Sequence, residues 1–150
     1  MKRAMLFFLI LLVMAAPALK GQNANLDRLN AYKIAFFTKR LNLTSQEAEK
    51  FWPVYNDYQA RRNKIQQERV LLNRNFNQNV SSMSEKELSE AGDKYVALQV
   101  REAALAQEFH NKVKEILSPI KVIRLYQAEN QYRMLLLNEL REKRPLRNEK

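Results

Sequence analysis

The chain has no cysteine, two glycines, one histidine and one tryptophan among its 150 residues. Lack of cysteine excludes disulfides, thiol chemistry and a lipid-modified amino-terminal cysteine, so the fold must be held by packing alone. His110, the single histidine, can build neither a catalytic triad nor a metal centre without partners from elsewhere. Of the five methionines, only Met83 and Met134 lie beyond the amino-terminal apolar segment, too few for a soft-metal cluster. No glycine-rich phosphate loop and no nucleophile elbow is present. Glu85, Glu87 and Glu90 read as solvated charges at a helix start, complementing its dipole. The expectation is a protein without enzyme activity, cofactor or transition-metal site.

What is present begins with a leader. Lys2 and Arg3 precede the apolar run "AMLFFLILLVMAA", and polar sequence follows Pro17 and Ala18. A basic start, a short apolar stretch and small residues before a polar junction make a secretory signal peptide. The run falls short of the roughly 20 residues that span a bilayer, and an uncleaved anchor is the alternative. Residues 1–21 are read as the leader and 22–150 as a single helical domain, cut after Ala18 or Gly21. A cut after Gly21 removes Lys2, Arg3 and Lys20 and leaves 23 basic residues against 16 acidic ones, a net charge of +7. In an exported chain such charge points away from nucleic acid, toward acidic protein, anionic lipid or envelope polymers.

Beyond the leader there is no Asn-Gly hairpin signal, no Gly/Ser linker and no repeat, while Leu, Ala, Glu, Lys, Arg and Gln abound. Those are good helix formers, and the fold class is all-α. The first helix is expected over about 26–41, with Leu26, Leu29, Tyr32, Phe36, Phe37 and Leu41 at helical spacing. Thr44 and Glu47 open the second with a capping box, and Ser84 and Glu87 open the third in the same way. The apolar stripe of the third helix is Leu88, Ala91, Tyr95, Leu98, Leu105, Phe109, Val113 and Ile116. Ser118 caps the fourth, with Pro119 at its first position, and the helix frays into a basic tail at about 141–150.

Pro53 falls about nine residues into the second helix, where it removes one hydrogen bond and crowds the Glu49 carbonyl. Apolar spacing nevertheless continues from Phe51 through Tyr58, Ile65 and Leu72 to Phe76, and no stop signal follows. A long second helix bent at Pro53, in an elongated curved hairpin of about four helices, is the expectation.

"QARRNKIQQERVLLNR", Gln59 to Arg74, sets Arg61, Arg62, Lys64, Arg69 and Arg74 against one acid, Glu68. A solvated helix face is the plain reading. The sharper one is a mixed basic and apolar surface in which Arg61, Arg62, Lys64 and Arg69 attract unfolded or acidic chains, with Trp52 as an aromatic contact for a regulator. On either reading, reversing Arg62 and Arg69 to Glu is expected to leave folding nearly unchanged.

"LNLTSQEAEKFWPVYNDY" early and "ILSPIKVIRLYQAENQYR" late, behind a leader and with four helices, resemble the Spy/CpxP family of periplasmic proteins. Its L-T-x-x-Q elements would correspond to Leu43–Glu47 and Leu117–Lys121, although Glu47 and Lys121 stand at the fifth positions and Ser118 replaces Thr. The wording is closest to a Bacteroidetes-type branch described as sensors of extracytoplasmic-function sigma factors. The resemblance implies a periplasmic, commonly dimeric helical hairpin in the envelope stress response. Its role would be an ATP-independent chaperone or a sensor acting on a membrane-bound regulator. The metal sites of some relatives are histidine-rich, and this chain lacks them.

Overall fold

The structure, a computed structural model, describes the backbone of residues 18–142 and side chains from Asp27 onward. Residues 1–17 of the expected leader and 143–150 of the basic tail lie outside that range. Four helices follow one another: α1 (Ala18–Leu41), α2 (Ser45–Asn79), α3 (Glu85–Ile116) and α4 (Pro119–Glu142). A 3-10 turn, Val80–Ser82, links α2 to α3, and the described residues contain no strand. The all-α class and the long second helix are as the sequence predicts. Helix α1 starts eight residues before the expected Leu26, because Ala18, Leu19, Lys20 and Gln22 favour the helix despite Gly21.

Local chemistry sets each boundary. Asn42 ends α1 in the left-handed region (φ 49°), with its amide directed at the Lys39 carbonyl 3.3 Å away. Asparagine tolerates that conformation better than most residues. The Thr44 amide donates to Glu47 Oε2 at 2.8 Å, and the Glu47 amide returns a bond to Thr44 Oγ1 at 3.2 Å. Ser84 and Glu87 repeat the exchange at 2.8 and 3.3 Å, so both expected capping boxes form. Ser118 offers its carbonyl to the amides of Lys121 and Val122, and Pro119 follows it as the first residue of α4. Helix α2 runs without interruption through Pro53, and its 35 residues extend about 50 Å at 1.5 Å each.

The described residues group into two packed units, 43–124 and, separately, 18–42 with 125–142. In the first, α2 and α3 pair antiparallel. On α2, positions 51, 55, 58, 62, 65, 69, 72 and 76 advance by alternating steps of four and three, and all are buried or half-buried. On α3 the same holds for 91, 95, 98, 102, 105 and 109. This is the seven-residue rhythm of a coiled-coil seam. Ile65, Leu98 and Leu105 form its centre, with Tyr58 and Leu72 packed against them. Toward the start of α2 the seam turns aromatic: Tyr58 stacks on Phe109 at 4.1 Å, and Tyr55 meets the same ring edge-on at 6.2 Å. That buried aromatic area offsets the hydrogen bond lost at Pro53. In the second unit, Tyr132 of α4 lies 5.5–5.6 Å from the rings of Phe36 and Phe37 on α1, and Phe37 is fully buried.

Candidate functional site

The basic stretch of α2 faces α3, and α3 answers it with carboxylates. Arg61 makes a two-pronged bond to Glu108, 2.7 Å at each nitrogen, and also reaches Asp57. Arg69 donates to Glu102 at 2.6 Å, and Arg62 approaches the other oxygen of that carboxylate at 3.6 Å. Glu68, the one acid within the stretch, accepts two bonds from Arg101 at 2.5 and 2.9 Å. Arg61, Arg62 and Arg69 therefore do not form a free basic face; they lace the hairpin together. Arg62 and Arg69 stand at seam positions, and Glu102 fills the seam position between Leu98 and Leu105. A half-buried polar layer of this kind tolerates only one register of pairing.

The pairing is visible in the acidities. Hydrogen bonds from Arg61 and then Lys112 bring the Glu108 carboxyl down to about 2. Arg69 lowers Glu102, and Arg101 lowers Glu68, in each case chiefly by hydrogen bonding to the ionised form. All three stay charged at neutral pH.

What remains of the basic stretch is Lys64 and Arg74, neither of which makes an ion pair among the described residues. Lys64, Leu71 and Arg74 are spaced by seven and three, so they share one side of α2, and Leu71 is 61% exposed. Lys64 also borders a groove of about 360 Å³ between α2 and α3, lined by Ile65, Leu105 and the Arg61–Glu108 and Glu68–Arg101 pairs. Trp52 is half-buried, its ring 5.1 Å from Phe51 and 5.6 Å from Tyr55.

The two sequence elements that frame the hairpin also meet. Lys121 Nζ donates to Glu47 Oε2 at 2.6 Å, with side chains only 15% and 20% exposed. The bond holds the Glu47 carboxyl below its ordinary value, helped by the Thr44 amide. Glu47 and Lys121 are the fifth residues of L-T-S-Q-E and L-S-P-I-K, so one ion pair joins these two sequence elements. Thr44, Glu47, Ser118 and Pro119 thus lie at a junction of helix starts. Glu102, Glu108 and Arg101 are the members that sequence reading misses. For Glu102 the signal is the rhythm of α3 itself, while Arg101 and Glu108 lie beside the seam and leave no such mark. Ala91, Tyr95, Leu98, Leu105 and Phe109 mark its seam, and position 102, which completes the alternation, is the one charged residue in the series.

Among the described residues no cluster of three or more His, Cys, Asp or Glu could hold a metal, and no helix is long and apolar enough to cross a membrane. Set beside protein-family models, curated proteins and solved structures, the chain matches none.

Proposed function

We propose that this is a non-enzymatic protein of the bacterial periplasm that holds unfolded or acidic chains without ATP, as its resemblance to the Spy/CpxP family implies. The observation that carries the reading is Leu71, exposed on α2 between Lys64 and Arg74. Val70 beside it, and Val96 and Val100 on α3, are also about half exposed or more. A surface that mixes long cationic side chains with apolar ones attracts an unfolded segment by charge and retains it by apolar contact. Self-association into a homodimer belongs to the same reading.

The test is suppression of client aggregation by the protein and by Lys64→Glu/Arg74→Glu. That pair touches no interhelical carboxylate, so helicity and thermal midpoint should stay unchanged. Suppression should fall, most at low salt, where exposed charges act over roughly 30 Å at 10 mM ionic strength. Leu71→Ser should weaken suppression at every salt concentration. No suppression by the unaltered protein at several-fold excess would dismiss the chaperone reading. A second reading then leads: an adaptor for a membrane-bound regulator of an extracytoplasmic-function sigma factor, favoured by the half-buried Trp52 in its aromatic group.

A further inference from the structure

One side of the hairpin carries a groove that follows the seam between α2 and α3. Its wider stretch, about 360 Å³, has Ile65, Ala104 and Leu105 for a floor. A narrower stretch of about 190 Å³ continues it over Leu72, Ala97 and Leu98, and the Glu68–Arg101 pair borders both. Every one of these residues belongs to the packed unit 43–124. The walls are charged, but most of that charge is already answered. Glu108 holds both terminal nitrogens of Arg61, and Glu68 those of Arg101, so these four groups satisfy one another. Two cations remain. Lys64 on the α2 wall borders the wider stretch and Lys94 on the α3 wall the narrower, and neither makes an ion pair among the described residues. Each can lay its aliphatic stem along the wall and keep its ammonium at the rim.

Register sets the distance between the two lysines. Arg101 stands opposite Glu68, so Lys94, seven residues earlier on antiparallel α3, stands opposite position 75 of α2, eleven residues beyond Lys64. Eleven residues of helix rise about 16 Å at 1.5 Å each. An extended chain covers that length in about five residues, at roughly 3.3 Å each. Its side chains alternate from side to side, so residues five apart point in opposite directions. The two lysines stand on opposite walls. Length and direction therefore agree.

We propose that this groove holds an extended peptide segment with two carboxylates five residues apart and apolar side chains between them. One carboxylate meets Lys64, the other meets Lys94, and the apolar side chains lie over the alanines of the floor. The site rests on the client-holding reading, to which it adds the composition of the segment and a seat between two helices rather than on one face of α2. Past Lys94 the surface is bordered by Glu87 and Glu90, so an acidic segment ends there.

The test is fluorescence anisotropy with two labelled peptides of one composition, leucine, valine, serine and two glutamates, in which the glutamates stand either five or two positions apart. The first should bind the unaltered protein more tightly than the second. Lys64→Glu and Lys94→Glu should each weaken its binding about threefold to tenfold at low salt, with helicity unchanged. Ala104→Phe, which fills the groove without altering charge, should weaken binding at every salt concentration. No binding by the unaltered protein overturns the proposal, as does equal binding of the two peptides. Binding indifferent to Lys94→Glu overturns it too, and so does binding indifferent to Ala104→Phe in a protein of intact helicity. Suppression of client aggregation is read separately. Suppression without peptide binding leaves the chaperone reading standing and removes the groove; peptide binding without suppression does the reverse.

Discussion

Glu102 sits in the seam of α3, where an apolar side chain would ordinarily pack, and it answers two arginines of α2. Reversing Arg62 and Arg69 to Glu would put three carboxylates into one half-buried layer. The expectation that folding would ignore that change is therefore replaced. The double reversal should destabilise by about 1–2 kcal/mol, after allowance for the third of each side chain that stays in water. Chemical denaturation compared with Lys64→Glu/Arg74→Glu checks it: the first pair should lower the midpoint and the second should not. Gly92 offers the opposite case. It lies inside α3, and a Cβ built there meets nothing within 4 Å. Gly92→Ala should stabilise by about 0.5–1 kcal/mol, through the smaller entropy that the chain loses on folding. A lowered thermal midpoint would contradict this.

At the scale of the element, the boundaries were legible because they are local. Thr44 with Glu47, Ser84 with Glu87, and Ser118 with Pro119 each act within four residues, and each starts a helix as the spacing predicts. The continuity of α2 through Pro53 was legible too, from apolar spacing on both sides. Pairing across the hairpin was not. Which carboxylate meets Arg61 depends on how α2 and α3 align 47 residues apart in sequence, and charge counts within one helix carry no such information. Glu47 reads as half of a cap, yet its second partner is 74 residues away. Two substitutions separate these contributions. Pro53→Ala restores an amide facing the Glu49 carbonyl at an exposed position, so it should raise stability by up to about 3 kcal/mol. Lys121→Ala keeps the Thr44–Glu47 box and removes the bond to Glu47, and about 1 kcal/mol should be lost. Amide hydrogen exchange should quicken at the start of α4 in that variant, while the first turn of α2 stays protected by its cap.

The charge of the whole molecule decides how it meets acid. The sequence carries 26 Lys and Arg against 16 Asp and Glu, so every proton taken up adds to an existing positive excess. The carboxylates that hold the hairpin resist that uptake. Glu108 is held near 2, first by Arg61 and then by Lys112; Arg69 lowers Glu102, Arg101 lowers Glu68, and Lys121 lowers Glu47. In the unfolded chain these groups take up protons near roughly 4.3. Because each folded value lies below the unfolded one, the stabilisation they contribute is complete above the unfolded value and is lost as pH falls through the folded range. Stability should consequently be flat from pH 7 to about 5 with respect to these groups, then decline from about 4.5 toward 2. The loss should steepen as freed Arg61, Arg62, Arg69 and Arg101 repel one another. Urea midpoints followed by circular dichroism across that range measure it directly, and Glu108→Gln should shrink the part of the decline nearest about pH 2. A midpoint that held constant down to about pH 2.5 would mean that the carboxylates do not secure α3 to α2 in solution.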